Sequence, residues 1–427
     1  MKNSIVDIKH LKNQNISNLE EILLCGRVMN IDGNELIIHD GTAQMNICVE
    51  NVSCEVYDIV KIKINKYNNT KYHGRIEKIL LSPKKRDPLR CTLPEFKFWY
   101  DTRIIEQRNN IICKIREFLV NKGFIEVQTP FLQFNKDISP IYQFITFNSM
   151  GKIFYLRIAP EEYLKRLLTV GFNAVFEIST NFRDDFVDST HNPEFVSVEL
   201  YKAFRDLDYM KDLIENLFLY ILKSLNLNTQ IKFGDKEINM DKPWREISVK
   251  ELIKEKFNVN INNKNYLINL KREIQRYDTY FKSNREVEIL EKALEIATSE
   301  ITAPTFVTHF PPPLKTTFIV SGDYAKRAEL FIGGMEIANL GCDIYNVEEL
   351  HSRYTETLEI KREMGFPTHE IDPDLLENFS YGCPPNVGAG IGVDRIVMLL
   401  TNSIDIGKII LYPHKRSKSK GGENYEY

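Results

Sequence analysis

Short runs of apolar residues, separated by turn signals, occupy residues 20 to 82. They predict five strands, at residues 22–29, 35–39, 45–49, 56–64 and 75–81. Asp32-Gly33-Asn34 and Asp40-Gly41-Thr42 are typical of tight turns between such strands. Five short strands joined by tight turns indicate a small all-β domain. An OB-like barrel is the first candidate, and a small β-sandwich fits nearly as well.

A helical period replaces this pattern between Arg103 and Lys122. The apolar residues that recur on one helical face are Ile104, Ile111, Ile112, Ile115, Phe118 and Leu119. After a strand predicted at 124–127, strands and helices mix without regular βαβ alternation, which favours an α+β fold built on an antiparallel sheet. Residues 246 to 300 are charged and largely helical in pattern, so we interpret them as an insertion in the main sheet or a flank of it.

The length and two polar stretches predict the domain organisation. A chain of 427 residues exceeds one ordinary domain. Residues 82 to 88 combine prolines with charged side chains, as linkers do, and the last residues are polar. We therefore expect an OB-like domain at 1–85, a linker at 86–105, a catalytic domain at 106–416 and a polar tail at 417–427.

Composition and charge exclude several classes of protein. The chain is 43% hydrophobic and 27% charged, which is typical of a soluble globular protein. Its net charge of -3 gives no overall attraction to nucleic acid, so RNA contacts would come from local basic patches. We expect no membrane span and no signal peptide. Seven scattered cysteines without a CxxC pair predict free thiols in a cytoplasmic protein.

Residues 176 to 201 carry side chains suited to ligand binding, at the start of a loop and on the strand that follows it. Arg183 stands where an apolar stretch gives way to a polar loop, and an arginine there can grip a phosphate or a carboxylate through two hydrogen bonds. Further on, strand alternation places Phe195, Ser197, Glu199 and Tyr201 on one face. An aromatic ring, a carboxylate and a phenol together indicate a binding site. The alternative, that Glu199 is a solvated strand residue, stays open on this segment alone.

Two glycine-containing segments add possible phosphate and metal contacts. Glycines in residues 388–392 precede Arg395 and an apolar run, and glycines let a backbone approach a ligand closely. Tight packing of a helix on a sheet is the alternative. Glu329 and Glu336 flank the turn Gly333-Gly334. Paired carboxylates near phosphates suit Mg²⁺, whereas surface acids on a hairpin are the alternative.

Together these segments resemble the three motifs of class II aminoacyl-tRNA synthetases, most closely those of the lysine-specific members. Residues 123–130, 176–201 and 388–395 correspond to motifs 1, 2 and 3 in that order. Residues 156–167 are similar to the lysine-type segment ahead of motif 2, and the likeness runs from about residue 93 to 413. It implies a class II catalytic domain that activates an amino acid, most specifically lysine, with ATP and Mg²⁺ and transfers it to tRNA. It also implies an anticodon-binding type of barrel at 1–85 and a homodimer with motif 1 at its interface.

The resemblance implies a role for individual residues. Arg183 and Arg395 are the expected catalytic residues, which hold the α-phosphate with the substrate carboxylate and the γ-phosphate respectively. The expected ATP-binding residues are Arg183, Asp185, His191, Phe195 (on adenine), Glu329 and Arg395. The expected substrate-binding residues are Glu161 (at the α-amino group), Arg183, Glu199 and Tyr201 (at the far ammonium), Asn339 and Asp343. The expected magnesium ligands are Glu329 and Glu336.

Four departures bear on lysine specificity and on tRNA. Asp185 and Asp343 stand where the family usually has glutamate, so each carboxylate reaches less far. Gly341 replaces an aromatic residue that packs on the lysine stem, which predicts an enlarged pocket. The second barrel strand, at 35–39, lacks the aromatic residue that stacks on anticodon bases. Basic residues remain for phosphate contacts, or as a solvated face: Arg27, Lys61, Lys63, Lys66 and Lys71.

Other functions remain open at this stage. A paralogue that activates lysine, or a relative of it, for transfer to a protein or small molecule fits the altered pocket and the short barrel. A non-catalytic RNA-binding relative would not need to keep Arg183, Arg395, Glu329 and Glu336. An aspartyl- or asparaginyl-type enzyme shares the architecture, but the acidic pocket favours a cationic side chain. The helical face formed by Ile111, Ile115 and Phe118 could lie at a dimer interface, although a core role explains those residues equally well.

Overall fold

The computed structural model describes residues 5–13, 22–68, 71–83, 102–139, 141–184, 187–314, 317–363, 365, 368 and 370–414. Contacts within the chain divide it into two units, Met1–Thr102 and Arg103–Tyr427. Most of the predicted linker, the predicted tail and Asp185 lie outside the described residues.

The strands of the first unit close into a five-stranded barrel in the order β1-β2-β3-β5-β4. Its elements are α1 (Ile8–Asn13), β1 (Ile22–Asp32), β2 (Glu35–His39), β3 (Gln44–Val49), β4 (Ile59–Asn68) and β5 (Lys71–Leu81). The pairs are antiparallel except β3 with β5, which is parallel. Alternate residues such as Leu36, Ile38, Val60 and Ile62 are fully buried inside it, which is the pattern expected of a closed sheet.

The second unit is a mixed α+β domain around one large sheet. Its first elements are α2 (Thr102–Asn121), β6 (Ile125–Glu126), β7 (Leu132–Gln133), β8 (Ile145–Phe147), β9 (Ile153–Leu156), α3 (Glu161–Thr169), β10 (Ala174–Phe182), β11 (Glu194–Ala203), α4 (Leu207–Ser224), β12 (Gln230–Phe233), β13 (Lys236–Asn239), β14 (Arg245–Ser248), α5 (Val249–Phe257), α6 (Tyr266–Ile274) and α7 (Glu286–Thr298). The rest are β15 (Thr305–Phe310), β16 (Val320–Ser321), β17 (Tyr324–Ile332), β18 (Met335–Cys342), α8 (Val347–Glu363), α9 (Pro373–Ser380), β19 (Asn386–Gly392) and α10 (Val393–Leu400).

The large sheet runs in the order β14-β15-β17-β18-β19-β11-β10-β6, with β16 paired to β17. All its pairs are antiparallel except β14 with β15 and β10 with β6 at the two edges. The prediction of an α+β domain built on an antiparallel sheet is therefore confirmed. β7, β9 and β8 form a separate three-stranded sheet, and β12 pairs with β13.

Strand alternation gives the large sheet one covered face and one face free for a site. Val387, Ala389 and Ile391 of β19 are buried in the main core with residues of α2, α4 and α10. The three helices cover this face because their apolar stripes pack against it. Gly388 and Gly390 point to the opposite face.

The amphipathic helix α2 is part of this core. Ile111, Ile115, Phe118 and Leu119 are each at most 5% exposed and lie in the main cluster. Gly123 follows at φ 81°, a left-handed conformation that ends the helix without a side-chain clash. The core role, which the sequence left as one of two alternatives, therefore accounts for this face.

The charged stretch after residue 245 is helical, as the sequence predicts. Helices α5, α6 and α7 bury a second apolar cluster against β15, which includes Ile253, Leu270 and Leu290. α5 begins with a capping box, in which the Ser248 hydroxyl accepts from the Glu251 backbone N–H and the Glu251 carboxylate accepts from the Ser248 backbone N–H. This segment is thus a flank of the sheet with its own core.

Within the described residues, no helix is long and apolar enough to cross a membrane. Cys25, Cys48, Cys54, Cys113, Cys342 and Cys383 are free thiols.

Candidate active site

Two rows of residues cross the open face of the large sheet. In the first row, Glu329, Asn339, Gly390 and Glu199 are successive partners on β17, β18, β19 and β11. Strand neighbours are about 5 Å apart, so this register alone brings two acids and an amide onto one floor. In the second row the successive partners are Arg327, Gly341, Gly388 and Tyr201.

Glu199 is the centre of the first row. A Cβ atom built on Gly390 would lie 2.8 Å from both carboxylate oxygens of Glu199, so only glycine leaves room for this side chain. Burial, followed by the negative charge of Glu161, raises the pKa of Glu199 to about 8. Its carboxylate accepts a hydrogen bond from the Ser197 hydroxyl at 3.0 Å. No described lysine or arginine forms an ion pair with it, so the carboxylate is suited to a cationic group from a ligand.

Tyr201 lies over a glycine in the same way. A Cβ atom on Gly388 would be 2.2 Å from Cε1 of the Tyr201 ring. The ring is only 4% exposed, and burial together with the nearby carboxylates raises the pKa of its hydroxyl. Tyr201 therefore stays a neutral phenol and forms an apolar wall with a hydrogen-bonding tip.

Lys165 inserts an ammonium group between two of the expected substrate contacts. Its Nζ lies 2.5 Å from Glu161 and 2.5 Å from Asp343 and 5.7 Å from the centroid of the Tyr201 ring. Burial lowers the pKa of Lys165, but the two carboxylates outweigh burial and raise it. Burial also disfavours the ionised form of Asp343 and so raises its pKa, although the Lys165 ammonium acts in the opposite direction. Lys165 was not among the residues expected at the site, although it lies four residues after Glu161 on α3.

The expected enlargement of the pocket at Gly341 is wrong. A Cβ atom on Gly341 would lie 2.4 Å from the Phe318 ring, so that ring already fills the space above the glycine. Phe318 comes from the segment ahead of β16, where it forms an isolated bridge with Asp343. An aromatic ring is thus present on this face, supplied by another part of the chain.

Arg183 and Phe195 form a platform beside the carboxylates. The guanidinium of Arg183 lies 5.1 Å from the centroid of the Phe195 ring, and its backbone N–H donates to Pro193 at 2.9 Å. Its Nε is buried and has no hydrogen-bond partner in the described protein. A buried donor without a partner costs stability, so this atom is suited to an anionic ligand group such as a phosphate or carboxylate.

His191 and Arg395 meet at the start of α10. Nε2 of His191 lies 3.2 Å from Nη2 of Arg395, while Nδ1 lies 2.8 Å from Asp188. Burial opposes the ionised form of Asp188, but hydrogen bonds from Thr190 and His191 lower its pKa to about 2. Arg395 also donates to the backbone oxygen of Glu336 at 2.6 Å. The partly exposed guanidinium has further N–H groups to offer an anion.

The expected magnesium ligands stand on the two strands of one hairpin. Gly333 and Gly334, at φ 66° and 86°, form the turn between β17 and β18, as the sequence predicts. Glu329 is largely buried and forms an ion pair with Arg327, whereas Glu336 is half exposed. Burial raises the pKa of Glu329 to about 7. The charge of Arg327 opposes this increase, and the charge of Glu336 adds to it.

These two carboxylates fit a metal ion that is shared with substrate. In the part of the chain that the structure describes, no three His, Cys, Asp or Glu side chains are placed to hold a metal ion. A closed protein site is therefore not formed by those residues. Mg²⁺ commonly takes one or two carboxylates and completes its shell with phosphate oxygens and water, which is what Glu329 and Glu336 can offer.

Asp394 ties the site to the core helix. It forms an ion pair with Arg108 of α2 and accepts a hydrogen bond from the Val196 backbone at 2.7 Å. This buried carboxylate fixes the start of α10, and hence Arg395, relative to β11, which carries Phe195 and Glu199.

The family model "tRNA synthetases class II (D, K and N)" matches residues 101–416, nearly all of the second unit. The chain belongs to this class II tRNA synthetase family.

Several curated relatives of this class II chain are lysine–tRNA ligases. One from Campylobacter jejuni is 36% identical over 326 residues, which are 72% of this chain and 63% of the relative. One from Mycoplasma mobile is 37% identical over 319 residues, 73% of this chain and 65% of the relative. "Lysine--tRNA ligase 2" of Methanosarcina mazei is 33% identical over 354 residues, 81% of this chain and 66% of the relative. The chain thus spans somewhat less than two thirds of their length.

The class II structure brings most of the sequence-predicted residues to one face. Glu199, Tyr201, Asn339 and Glu329 share the two rows described above, and Arg183 with Phe195 lies beside them. Asp185 lies outside the described residues. Four neighbours were not predicted, namely Lys165, Phe318, Arg327 and Asp394. Two had a local signal, since Lys165 is four residues after Glu161 on a helix and Arg327 is two residues before Glu329 on a strand.

Proposed function

We propose that this chain activates lysine with ATP as lysyl-adenylate and transfers the lysyl group to tRNA. The observation that carries the proposal is Glu199, a partly buried carboxylate with which no described cation forms an ion pair. Its raised pKa of about 8 shows how strongly the free site disfavours an uncompensated charge. A ligand ammonium placed there would restore the ionised form. This end of the site therefore favours a cationic amino acid over an anionic or apolar one.

The proposed roles follow from the positions of the side chains. Glu161 at the start of α3 receives the α-amino group, and Asn339 orients the substrate from the floor. Tyr201 contacts the substrate side chain. Arg183, with its unpartnered Nε, binds the substrate carboxylate and the α-phosphate, while Phe195 stacks on adenine.

The first step needs positioning and charge stabilisation rather than a protein nucleophile. A carboxylate oxygen of lysine attacks the α-phosphorus of ATP, the bond to the leaving oxygen breaks, and pyrophosphate departs. Arg183 stabilises negative charge that develops on the α-phosphate, and Arg395 with His191 holds the far phosphates. In the second step the terminal ribose hydroxyl of tRNA attacks the acyl carbon, and AMP leaves.

Glu329 and Glu336 are the residues that would hold Mg²⁺. The ion would neutralise phosphate oxygens and make pyrophosphate a better leaving group. Arg327 orients the largely buried Glu329 through its ion pair. We also propose that Asp185 contacts the adenine of ATP.

We propose that the barrel is an OB-type, anticodon-binding domain, with residues 1–85 as its extent, 106–416 as the catalytic domain and a linker between them. Arg27, Lys61 and Lys63 lie on its strands and would contact phosphates of the RNA. A second candidate function retains the activation step but uses another acceptor, a protein or small molecule. It is favoured by the outward side chains of β2, since Glu35, Ile37 and His39 include no Phe, Tyr or Trp.

Charging of tRNA separates these two candidates. Purified protein, ATP and radiolabelled lysine should give acid-precipitable lysyl-tRNA with total tRNA, and ribonuclease should remove the label. Formation of lysyl-adenylate without any charged tRNA would reject the tRNA step and favour the second acceptor class.

We also propose that two copies form a homodimer through the three-stranded sheet and β6. Ile145, Phe147 and Ile153 are 53% to 75% exposed on that sheet, and Ile125 of β6 is 51% exposed. A surface this apolar is typical of an interface, and a second copy presents the same strip to it. Sedimentation velocity should show a dimer that Phe147→Asp dissociates, while Tyr280→Asp, at a residue 87% exposed in the helical flank, leaves it intact. A monomeric unmodified protein would reject the proposal.

A further inference from the structure

The amino-acid site contains an internal ammonium group. The Lys165 side chain is 3% exposed and Asp343 only 1%, and the two lie 2.5 Å apart. The same Nζ reaches Glu161, 38% exposed at the mouth of the site. A pair shielded from water to this degree is costly to break, because either partner alone would be a buried, uncompensated charge.

A count of charges shows what this ammonium does. Three carboxylates, Glu161, Glu199 and Asp343, all act on the Tyr201 hydroxyl. Two cations, Lys165 and Arg183, act on Glu199. Once Glu199 has lost its proton on ligand binding, these five side chains carry a net charge of about -1, and an amino acid with one side-chain ammonium carries about +1. Without Lys165 the set would carry about -2 and would match a substrate with one more cation.

Asp343 and Glu199 are not equivalent in this arrangement. Asp343 pairs with the Lys165 ammonium and is almost fully buried. Glu199 faces the open floor over Gly390, and the Ser197 hydroxyl is its hydrogen-bond donor. A ligand ammonium can thus pair with Glu199 without meeting a protein cation, whereas at Asp343 it would share the carboxylate with Lys165.

We propose that Lys165 is a specificity-determining residue of the amino-acid site. It commits Asp343 to an internal ion pair and positions Glu161, so that Glu199 alone receives the side-chain ammonium of the substrate. This inference rests on the proposed function and removes Asp343 from the expected substrate contacts. The substrate class is an amino acid with a single terminal cation on its side chain.

The test is a comparison of lysine with 2-aminoheptanoate, in which a methyl group replaces the side-chain ammonium. The ratio of kcat/KM for the two in ATP–pyrophosphate exchange does not depend on the fraction of folded protein. Glu199→Gln should lower this ratio by about 100-fold or more, since it removes the counter-ion. Asp343→Asn should lower it by less than about fivefold. A loss in Asp343→Asn equal to that in Glu199→Gln would overturn the inference.

Thermal unfolding gives an independent readout of the ion pair. Asp343→Asn should lower Tm by leaving Lys165 with one carboxylate, and Lys165→Met in the same chain should restore part of the loss. Additive losses in the double variant would overturn the pairing. If the unmodified protein exchanges with no amino acid, the proposed function fails, and these unfolding data still decide whether Lys165 and Asp343 act as a pair.

Discussion

Replacement of Glu199 by glutamine should change how stability depends on pH. The pKa of Glu199 is about 8 instead of 4.5. Since the folded protein holds this proton more tightly than the unfolded chain, the free energy of unfolding falls as pH rises from 4.5 to 8 and is flat above that. Integrated between pH 5 and pH 8, this one group costs about 3 kcal/mol. Glutamine cannot ionise, so Glu199→Gln should lack this loss.

Urea unfolding at pH 5, 6, 7 and 8, without ligands, measures the effect. The stability of the variant relative to the unmodified protein should rise by about 3 kcal/mol over this range. Other titrating groups cancel in the difference, because both proteins contain them. A difference that changes by less than about 1 kcal/mol would refute the reasoning about this carboxylate.

Ligand binding supplies the matching test. An ammonium beside Glu199 favours its ionised form, so lysine binding at pH 7 should release nearly one proton from a group with a pKa of about 8. Calorimetry in buffers of different ionisation enthalpy detects that proton. Binding heats that do not depend on the buffer would contradict the placement of the ammonium.

Three further substitutions test the geometry of the site. Gly390→Ala places a methyl 2.8 Å from the Glu199 carboxylate and should raise KM for lysine at least about tenfold. The control Gly392→Ala should leave KM unchanged, because its Cβ meets nothing closer than 3.6 Å. Equal KM values for the two variants would contradict the packing. Asp394→Asn should lower the free energy of unfolding by about 3 kcal/mol in urea, against little change for the exposed Asp323→Asn. Glu336→Gln should raise the Mg²⁺ concentration for half-maximal exchange about tenfold, and an unchanged requirement would remove it as a ligand.

Strand alternation explains why part of the site could be predicted from sequence. Phe195, Ser197, Glu199 and Tyr201 were expected on one face, and β11 has them there because side chains alternate strictly along a strand. The glycines of β19 and the hairpin between Glu329 and Glu336 were equally local signals. The amphipathic period likewise located α2 to within a residue at each end.

The remaining features depend on contacts between distant segments. Phe318 fills the space over Gly341, and Lys165 pairs with Asp343, although no local pattern links these positions. A glycine in sequence predicts missing volume, but packing decides whether another side chain occupies it. For the same reason the charge of Asp343 could be read from sequence, while its commitment to Lys165 could not.

ATP–pyrophosphate exchange with a panel of amino acids tests the central claim most directly. The panel should contain lysine, ornithine, arginine, aspartate, asparagine and 2-aminoheptanoate, with the unmodified protein and Arg183→Gln side by side. We expect exchange with lysine well above all others, and its loss in Arg183→Gln. Exchange with aspartate or asparagine instead of lysine, or with no amino acid at all, would contradict the account.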